Sequence, residues 1–451
     1  MFMFGKTSSA AAETQNAQNT IALAKLLCQK GILQKSEIDQ IFSTKSDSAP
    51  TSFTGNFPLD LLHQGVESRS ELPELIEDGK RRINALMQKY DIPGEIVDCI
   101  SGPHFTNYKI ALAPEGNTDV FRQIRGEICS TLNSRYVRIL PSTDDHIFIE
   151  VPNRSFQQPY IRQLLESEEW KNSKAVIPLT IGKNTFGEPV ILDLNQIGHL
   201  LIADSKECGK SELLNSLIIS LLLKFSPDQL ILKTYTLQHT DCVNRKMSPL
   251  PSMQMFYLHQ DRMMKELSDL VETIDYRSDK IAAAGFDDLT EYNRSFQDNP
   301  IPHCVIIIDN AGKLMSDKEA SRLIAKIAKQ GSNVGIHLIL ATRHTGTDVI
   351  SGVVKKLFPT RLCFRTASMI DSYVVLDAPG AENLGEEGDM LMTATGCCHP
   401  MRINVASTTR NDIKNVIDFI REQYGTKNKQ YAMGKADLRE FFIQNPLAKN
   451  C

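Results

Sequence analysis

At 451 residues the chain can hold two or three domains with a sizeable core. Its net charge of −4 gives no overall pull toward nucleic acid, although a local basic surface remains compatible with phosphate contacts. Ten scattered cysteines without C-x-x-C spacing argue against a metal cluster or a disulfide framework. No apolar run approaches the ~20 residues of a membrane span. The Met1–Phe4 start lacks signal-peptide anatomy, so a soluble cytoplasmic protein without a membrane segment is expected.

Residues 1–20 are rich in Ala, Ser, Thr, Asn and Gln, which predicts disorder. Leu23, Leu26, Leu27, Ile38 and Ile41 recur at helical spacing around a break at Gly31, so 21–45 reads as a small helical segment. Residues 46–70 have the turn-rich composition of a linker. A small α/β domain is expected over 71–170. Leu72, Leu75, Ile76, Ile83, Leu86 and Met87 mark a helix with Pro73 near its start. Tyr108, Ile110 and Leu112 alternate as a strand, Phe121, Ile124, Ile128 and Leu132 form a second helical stripe, and Ile147, Ile149 and Val151 make another strand. Nothing in this stretch reads as catalytic. His104 and His146 stand beside turns and are expected to be solvated.

From Ala175 the pattern changes to alternating strands and helices, which predicts a mostly parallel sheet. Strands are expected at Leu230–Leu237, Cys304–Ile308, Ile336–Ala341 and Arg361–Phe364, with helices through Leu258–Ala284 and at Lys318–Gln330. Ile413, Val416, Ile417 and Ile420 share one face of a last helix before a polar tail at 426–451. The continuous apolar run Val305–Ile308 is what a central strand covered on both faces shows.

The stretch from His199 to Leu223 carries the chemistry. An apolar run leads into the turn Asp204-Ser205-Lys206-Glu207-Cys208-Gly209-Lys210-Ser211, and a long apolar segment follows. Strand, loop and helix in this order form a P-loop, whose backbone N–H groups and helix N-terminus face phosphates. Lys210 would reach the phosphate oxygens of ATP, and the Ser211 hydroxyl would ligate Mg²⁺. The first glycine of the usual pattern is Asp204 here. Asp309 ends the apolar run roughly 100 positions beyond Lys210 and suits the second Mg²⁺ role. Lys210 and Asp309 are expected at the carboxyl ends of neighbouring strands, facing one cleft. Asn310 stands where many such ATPases carry a glutamate, and an amide cannot accept a proton from water.

Beyond the loop, the chain resembles the motor of the FtsK/SpoIIIE family of double-stranded DNA translocases. The matching residues include Gly182-Lys183, Gly187-Glu188-Pro189-Val190, Asp193-Leu194 and His199-Leu200-Leu201. Further on they include Tyr292-Asn293, Gly335-Ile336-His337-Leu338, Asp348-Val349-Ile350, Ile370-Asp371-Ser372 and Gly388-Asp389-Met390-Leu391. Upstream, Ser101-Gly102-Pro103 and Val151-Pro152-Asn153 match the family's α domain. The resemblance implies a RecA-like P-loop NTPase core over 175–425, preceded by the small α/β domain and the short helical segment. It also implies a hexameric ring around duplex DNA, with ATP and Mg²⁺ at subunit interfaces. Lys355, Lys356 and Arg361 are the local basic residues expected to face DNA.

The departures from the family cluster on the chemistry. Asp204 and Glu207 replace two loop glycines and put carboxylates where a polyanion should approach. Asn310 replaces the glutamate, so Lys210, Asp309 and Asn310 make up a degenerate catalytic set. Arg343-His344-Thr345 stand for Gln-Arg-Pro, and Ser332 and Tyr373 stand where arginines are usual. Two readings follow. One is a DNA-translocating ATPase with a weak site. The other is an inactive pseudo-motor that binds DNA or protein, as a ring subunit with itself or with an active relative.

Overall fold

The computed structural model describes residues 57–424, apart from 66–71, 103, 114–117, 135, 142–145, 155–157, 206–207, 237–252, 258–259, 386–387 and 398. The expected disorder at 1–20, the helical segment 21–45 and the tail 426–451 lie outside the described residues. Among the described residues the strands form one sheet of four and one of ten, and no helix is long and apolar enough to cross a membrane.

The helix Pro73–Lys89 begins where Pro73 occupies its first turn and Leu72 is still extended. Its buried face, Ile83, Leu86 and Met87, packs on a small antiparallel sheet. That sheet comprises β1 (Gly94–Ser101), β2 (Phe105–Leu112), β3 (Arg138–Pro141) and β4 (His146–Pro152), in the order β1-β2-β4-β3. Gly79 allows the close approach, because a Cβ there would stand 2.0 Å from the Tyr108 hydroxyl. The helices Thr118–Gln123 and Arg125–Thr131 add Phe121 and Ile128 to the same core. His104 departs from expectation. It is only 2% exposed, and burial is the main cause that pushes its imidazole down to about 4.

The large sheet contains β5 (Pro178–Asn184), β6 (Pro189–Asp193), β7 (Leu200–Ala203), β8 (Leu230–Thr236), β9 (Met253–Tyr257) and β10 (His303–Asp309). It continues with β11 (Ile336–Thr342), β12 (Thr360–Cys363), β13 (Asp389–Thr393) and β14 (Met401–Val405). The order is β6-β5-β14-β13-β12-β7-β11-β10-β8-β9. Strands from β12 to β9 pair in parallel, and antiparallel partners extend the sheet from β12 to β6. Successive side chains of the central strands enter opposite layers. Val305, Ile307, Ile339 and Ala341 join one apolar cluster, and Cys304, Ile306, Ile336, Leu338 and Leu340 join the other. The first layer is covered by the helices Lys210–Lys224 and Arg410–Tyr424, and the second by Gln260–Ala283 and Lys318–Gln330. Asp317 fixes the start of the last of these by accepting from the Glu319 and Ala320 N–H groups.

Packing crosses the divisions read from the sequence. Ile161, Leu164, Leu165 and Trp170 lie in the first cluster of the large sheet, although 71–170 reads as one upstream domain. Phe57 and Leu62, in the stretch read as a linker, lie there too. The His63 N–H donates to Asp412 (2.6 Å), and Asn415 donates to the Leu61 carbonyl (2.7 Å). Partners more than 300 positions away leave no local periodicity to read.

Several histidines are buried toward the amino ends of the parallel strands. His303 opens β10, and His199 and His337 flank the starts of β7 and β11. The ring of His337 lies 6.3 Å from that of His199 and 6.0 Å from that of His303. His199 Nδ1 accepts from the Leu338 N–H (3.0 Å), which requires that nitrogen to be unprotonated.

Candidate nucleotide site

The loop leaves β7 at Ala203 and enters the helix at Lys210. The Asp204 N–H continues the β7–β11 pairing by donating to the Thr342 carbonyl (3.0 Å). Ser205 donates to the Arg365 carbonyl through both its N–H (3.3 Å) and its hydroxyl (3.0 Å). Lys206 and Glu207 lie outside the described residues. Gly209 takes φ +122°, and a Cβ there would meet the Gly388 backbone at 2.7 Å. A side chain at this position would strain both segments.

Lys210 and Asp309 are brought into contact, but their strands are not immediate neighbours, because β11 lies between β7 and β10. Lys210 is 2% exposed. Its Nζ donates to Asp309 Oδ1 at 2.7 Å and to Asn310 Oδ1 at 3.3 Å, and lies 3.8 Å from Asp204 Oδ1. Asp204 is itself 1% exposed. The Lys210 ammonium therefore stands among two carboxylates and an amide oxygen. The Asp204 charge also reaches Cys363, whose thiol is pushed up first by burial and then by that carboxylate.

Asn310 follows β10 in the left-handed region, at φ +57°, which asparagine tolerates better than most residues. Its amide nitrogen faces Asp309 Oδ2 at 3.5 Å, while its amide oxygen faces Lys210. Ser211 lies in the first turn of the loop helix. The residue types fit a phosphate and a divalent cation: Lys210 for the phosphate oxygens, Ser211 and Asp309 for the metal.

The chain matches the model of the FtsK/SpoIIIE family over residues 160–347 and that of the FtsK alpha domain over 57–153. The chain belongs to the FtsK/SpoIIIE family. The DNA translocase FtsK of Helicobacter pylori J99 is 29% identical over 428 residues, covering 90% of this chain and 48% of that protein. The DNA translocase FtsK of Caldanaerobacter subterraneus subsp. tengcongensis is 30% identical over 381 residues, covering 82% of this chain and 52% of that protein. The chain thus spans about half the length of these curated relatives. Among solved structures, the pCW3 conjugation coupling protein TcpA with ATPγS is similar in fold, with a TM-score of 0.51 and 17% identity over 77% of this chain and 99% of that one. The cytoplasmic domain of the Thermomonospora curvata type VII secretion ATPase EccC gives 0.50 and 19%, over 58% of this chain and 34% of that one. These likenesses bear on the fold alone, an α/β core with a mostly parallel sheet.

Other positions singled out within the family pattern fall in different places. Thr345 donates to Asp371 (2.9 Å), which ties the Arg343-His344-Thr345 segment to the helix Met369–Leu376. Tyr373 is exposed on that helix. Ser332 lies at the other end of the sheet, in a polar cleft of about 560 Å³ shared with Gly198, His199, Asn333 and Lys356.

The three basic residues expected to face DNA are divided. Arg361 is 7% exposed and is held by Asp377 (2.7 Å) and by the Val375 carbonyl (2.7 Å). Its guanidinium braces the fold rather than presenting charge to solvent. Lys355 also pairs with Asp377, at 2.6 Å, and Lys356 is exposed at the cleft. Sequence reasoning also missed the residues behind the loop. The Gly388 N–H supports the Cys208 carbonyl at 3.0 Å, and Asp389 pairs with Arg402. The Gly388-Asp389-Met390-Leu391 match was the available signal.

Proposed function

We propose that this chain is an FtsK-type motor subunit that takes up Mg-ATP weakly, associates with duplex DNA as part of a ring, and hydrolyses ATP far more slowly than a working motor. The observation that carries the reading is the setting of Lys210, shared by Asp309 and Asp204 beside Asn310. An incoming phosphate must compete with two buried carboxylates for one ammonium. Lys210, Ser211 and Asp309 retain the groups for binding phosphate and Mg²⁺. With Asn310 in place of a carboxylate, a general-base contribution of about 10²–10⁴ in rate is missing. Duplex DNA and the ring enter through the relatives named as DNA translocases. The engagement of Lys355 and Arg361 by Asp377 favours the second reading, a scaffold whose main partner is protein.

Steady-state hydrolysis with and without duplex DNA tests the proposal. Turnover should be feeble in the natural chain and should rise about a hundredfold or more in the combined variant Asp204→Gly, Glu207→Gly, Asn310→Glu. Vigorous DNA-stimulated hydrolysis by the natural chain would overturn it. A flat response of the variant would move the defect to Ser332, Arg343 and Tyr373. Duplex binding should ignore sequence and fall steeply with salt, as counterion release requires. Lys356→Ala should weaken it for every sequence alike. Undetectable binding at low salt would favour the protein scaffold.

A further inference from the structure

The phosphate loop is tied to the small antiparallel sheet through a buried path. Gly388 donates its N–H to the Cys208 carbonyl (3.0 Å), while its own carbonyl accepts from the Val405 N–H (2.9 Å). Gly388 and Gly209 approach so closely that a Cβ on Gly209 would stand 2.7 Å from the Gly388 Cα. The next residue, Asp389, is 2% exposed and receives two guanidinium nitrogens of Arg402, with Nε at 2.8 Å. Such a two-pronged charged contact fixes direction as well as distance.

Arg402 is also 2% exposed, and its far side belongs to the small domain. Its guanidinium carbon lies 3.9 Å from the centre of the Phe105 ring and 4.8 Å from that of Tyr136. Arg402 donates to the Tyr136 hydroxyl, which in turn donates to Asp389 Oδ2 at 3.3 Å. Burial opposes the Arg402 charge, but Asp389 outweighs it and holds the guanidinium above its ordinary range. Glu150 and Arg138 complete the network, with Glu150 Oε2 at 3.9 Å from Arg402 and 3.6 Å from Arg138. A second tie runs from Gln158 to Glu212 in the first turn of the loop helix (2.7 Å).

We propose that the small domain sets the conformation of the phosphate loop, with Asp389 and Arg402 as positioning residues that transmit the constraint through Gly388 to Cys208. A displacement of Phe105 or Tyr136 moves Arg402, and the paired Asp389 carries Gly388 with it. The inference concerns the loop's geometry and stands whether or not the loop takes up nucleotide.

The experiment measures alkylation of Cys208 by iodoacetamide in the full chain, resolved by peptide mass spectrometry. Cys208 is 3% exposed, and Cys304, buried in β10, serves as the internal control. Tyr136→Phe keeps the ring over Arg402 and removes the hydroxyl shared with Asp389. Arg402→Lys keeps a charge but loses the two-pronged contact. Both variants should speed Cys208 alkylation about tenfold while Cys304 stays protected, the signature of a local opening. Unchanged Cys208 reactivity in Tyr136→Phe would overturn the proposal. So would a parallel rise at Cys304, which would mark general loosening. If Arg402→Lys does not fold, Tyr136→Phe decides, because it retains the buried ion pair.

Discussion

Asp204→Asn changes one charge at the loop and almost no volume. Asp204 Oδ1 lies 3.8 Å from Lys210 Nζ, a separation at which a unit charge pair is worth about 4 kcal/mol at an effective dielectric constant near 20. Part of that attraction offsets the cost of burying the carboxylate, so the full amount is not released. The phosphates gain twice from neutralising Asp204. Lys210 is left with one carboxylate, and a like charge beside the incoming polyanion is removed. If about 3 kcal/mol of the combined effect survives, Mg-ATPγS should bind roughly a hundredfold more tightly. Calorimetric titration of both proteins at one fixed salt concentration measures this directly. An affinity within twofold of the natural chain, or a weaker one, would refute the reasoning and make Asp204 a supporting group for Lys210 rather than a competitor.

Three other outcomes follow from the same geometry. Burial, the main cause in each case, pushes His199 and His303 down to about 3 and His337 to about 4, from an ordinary value of 6.5. Unfolded imidazoles take up protons first as pH falls, so stability is full above pH 6.5 and declines until pH reaches about 4 for His337 and about 3 for His199 and His303. Each should lose about 2 kcal/mol between pH 7 and pH 5, and a urea midpoint that does not move over that interval would contradict the assignment. Gly209→Ala forces a side chain against Gly388 at a positive φ and should cost about 1–3 kcal/mol in denaturant unfolding; an unchanged midpoint would mean that the loop relaxes freely. Arg361→Ala should cost about 2 kcal/mol and leave the salt dependence of duplex binding unaltered, whereas a shallower salt slope would return Arg361 to the DNA surface.

The parallel core was legible because its signals are local. Val305–Ile308 is apolar on both faces, and Asp317 caps the helix Lys318–Gln330 at the residue before it begins. That Lys210 and Asp309 come together was legible for a different reason, since the loop pattern implies a distant carboxylate, whereas their direct pairing was not. What escaped depends on partners remote in sequence. Arg361 looks like surface charge until Asp377 is brought against it. His104 looks solvated until the start of β2 is buried. Arg402 and Tyr136 lie 266 positions apart, and neither carries a pattern that points to the other. The short strands β3, β13 and β14 have too few residues for alternation to stand out.

On the proposed reading, the left-handed backbone at Asn310 opposes the placing of a glutamate there. At φ +57° an asparagine is at ease, whereas a longer side chain costs roughly 1 kcal/mol or more. Both ends of the Asn310 amide already face Lys210 and Asp309. A glutamate placed there first would add a third carboxylate around one ammonium, so that single step is opposed by strain and by charge together. After Asp204 is neutralised, the same step meets a less crowded site. On the proposed reading, a carboxylate at position 310 should be tolerated better after position 204 is neutralised than before.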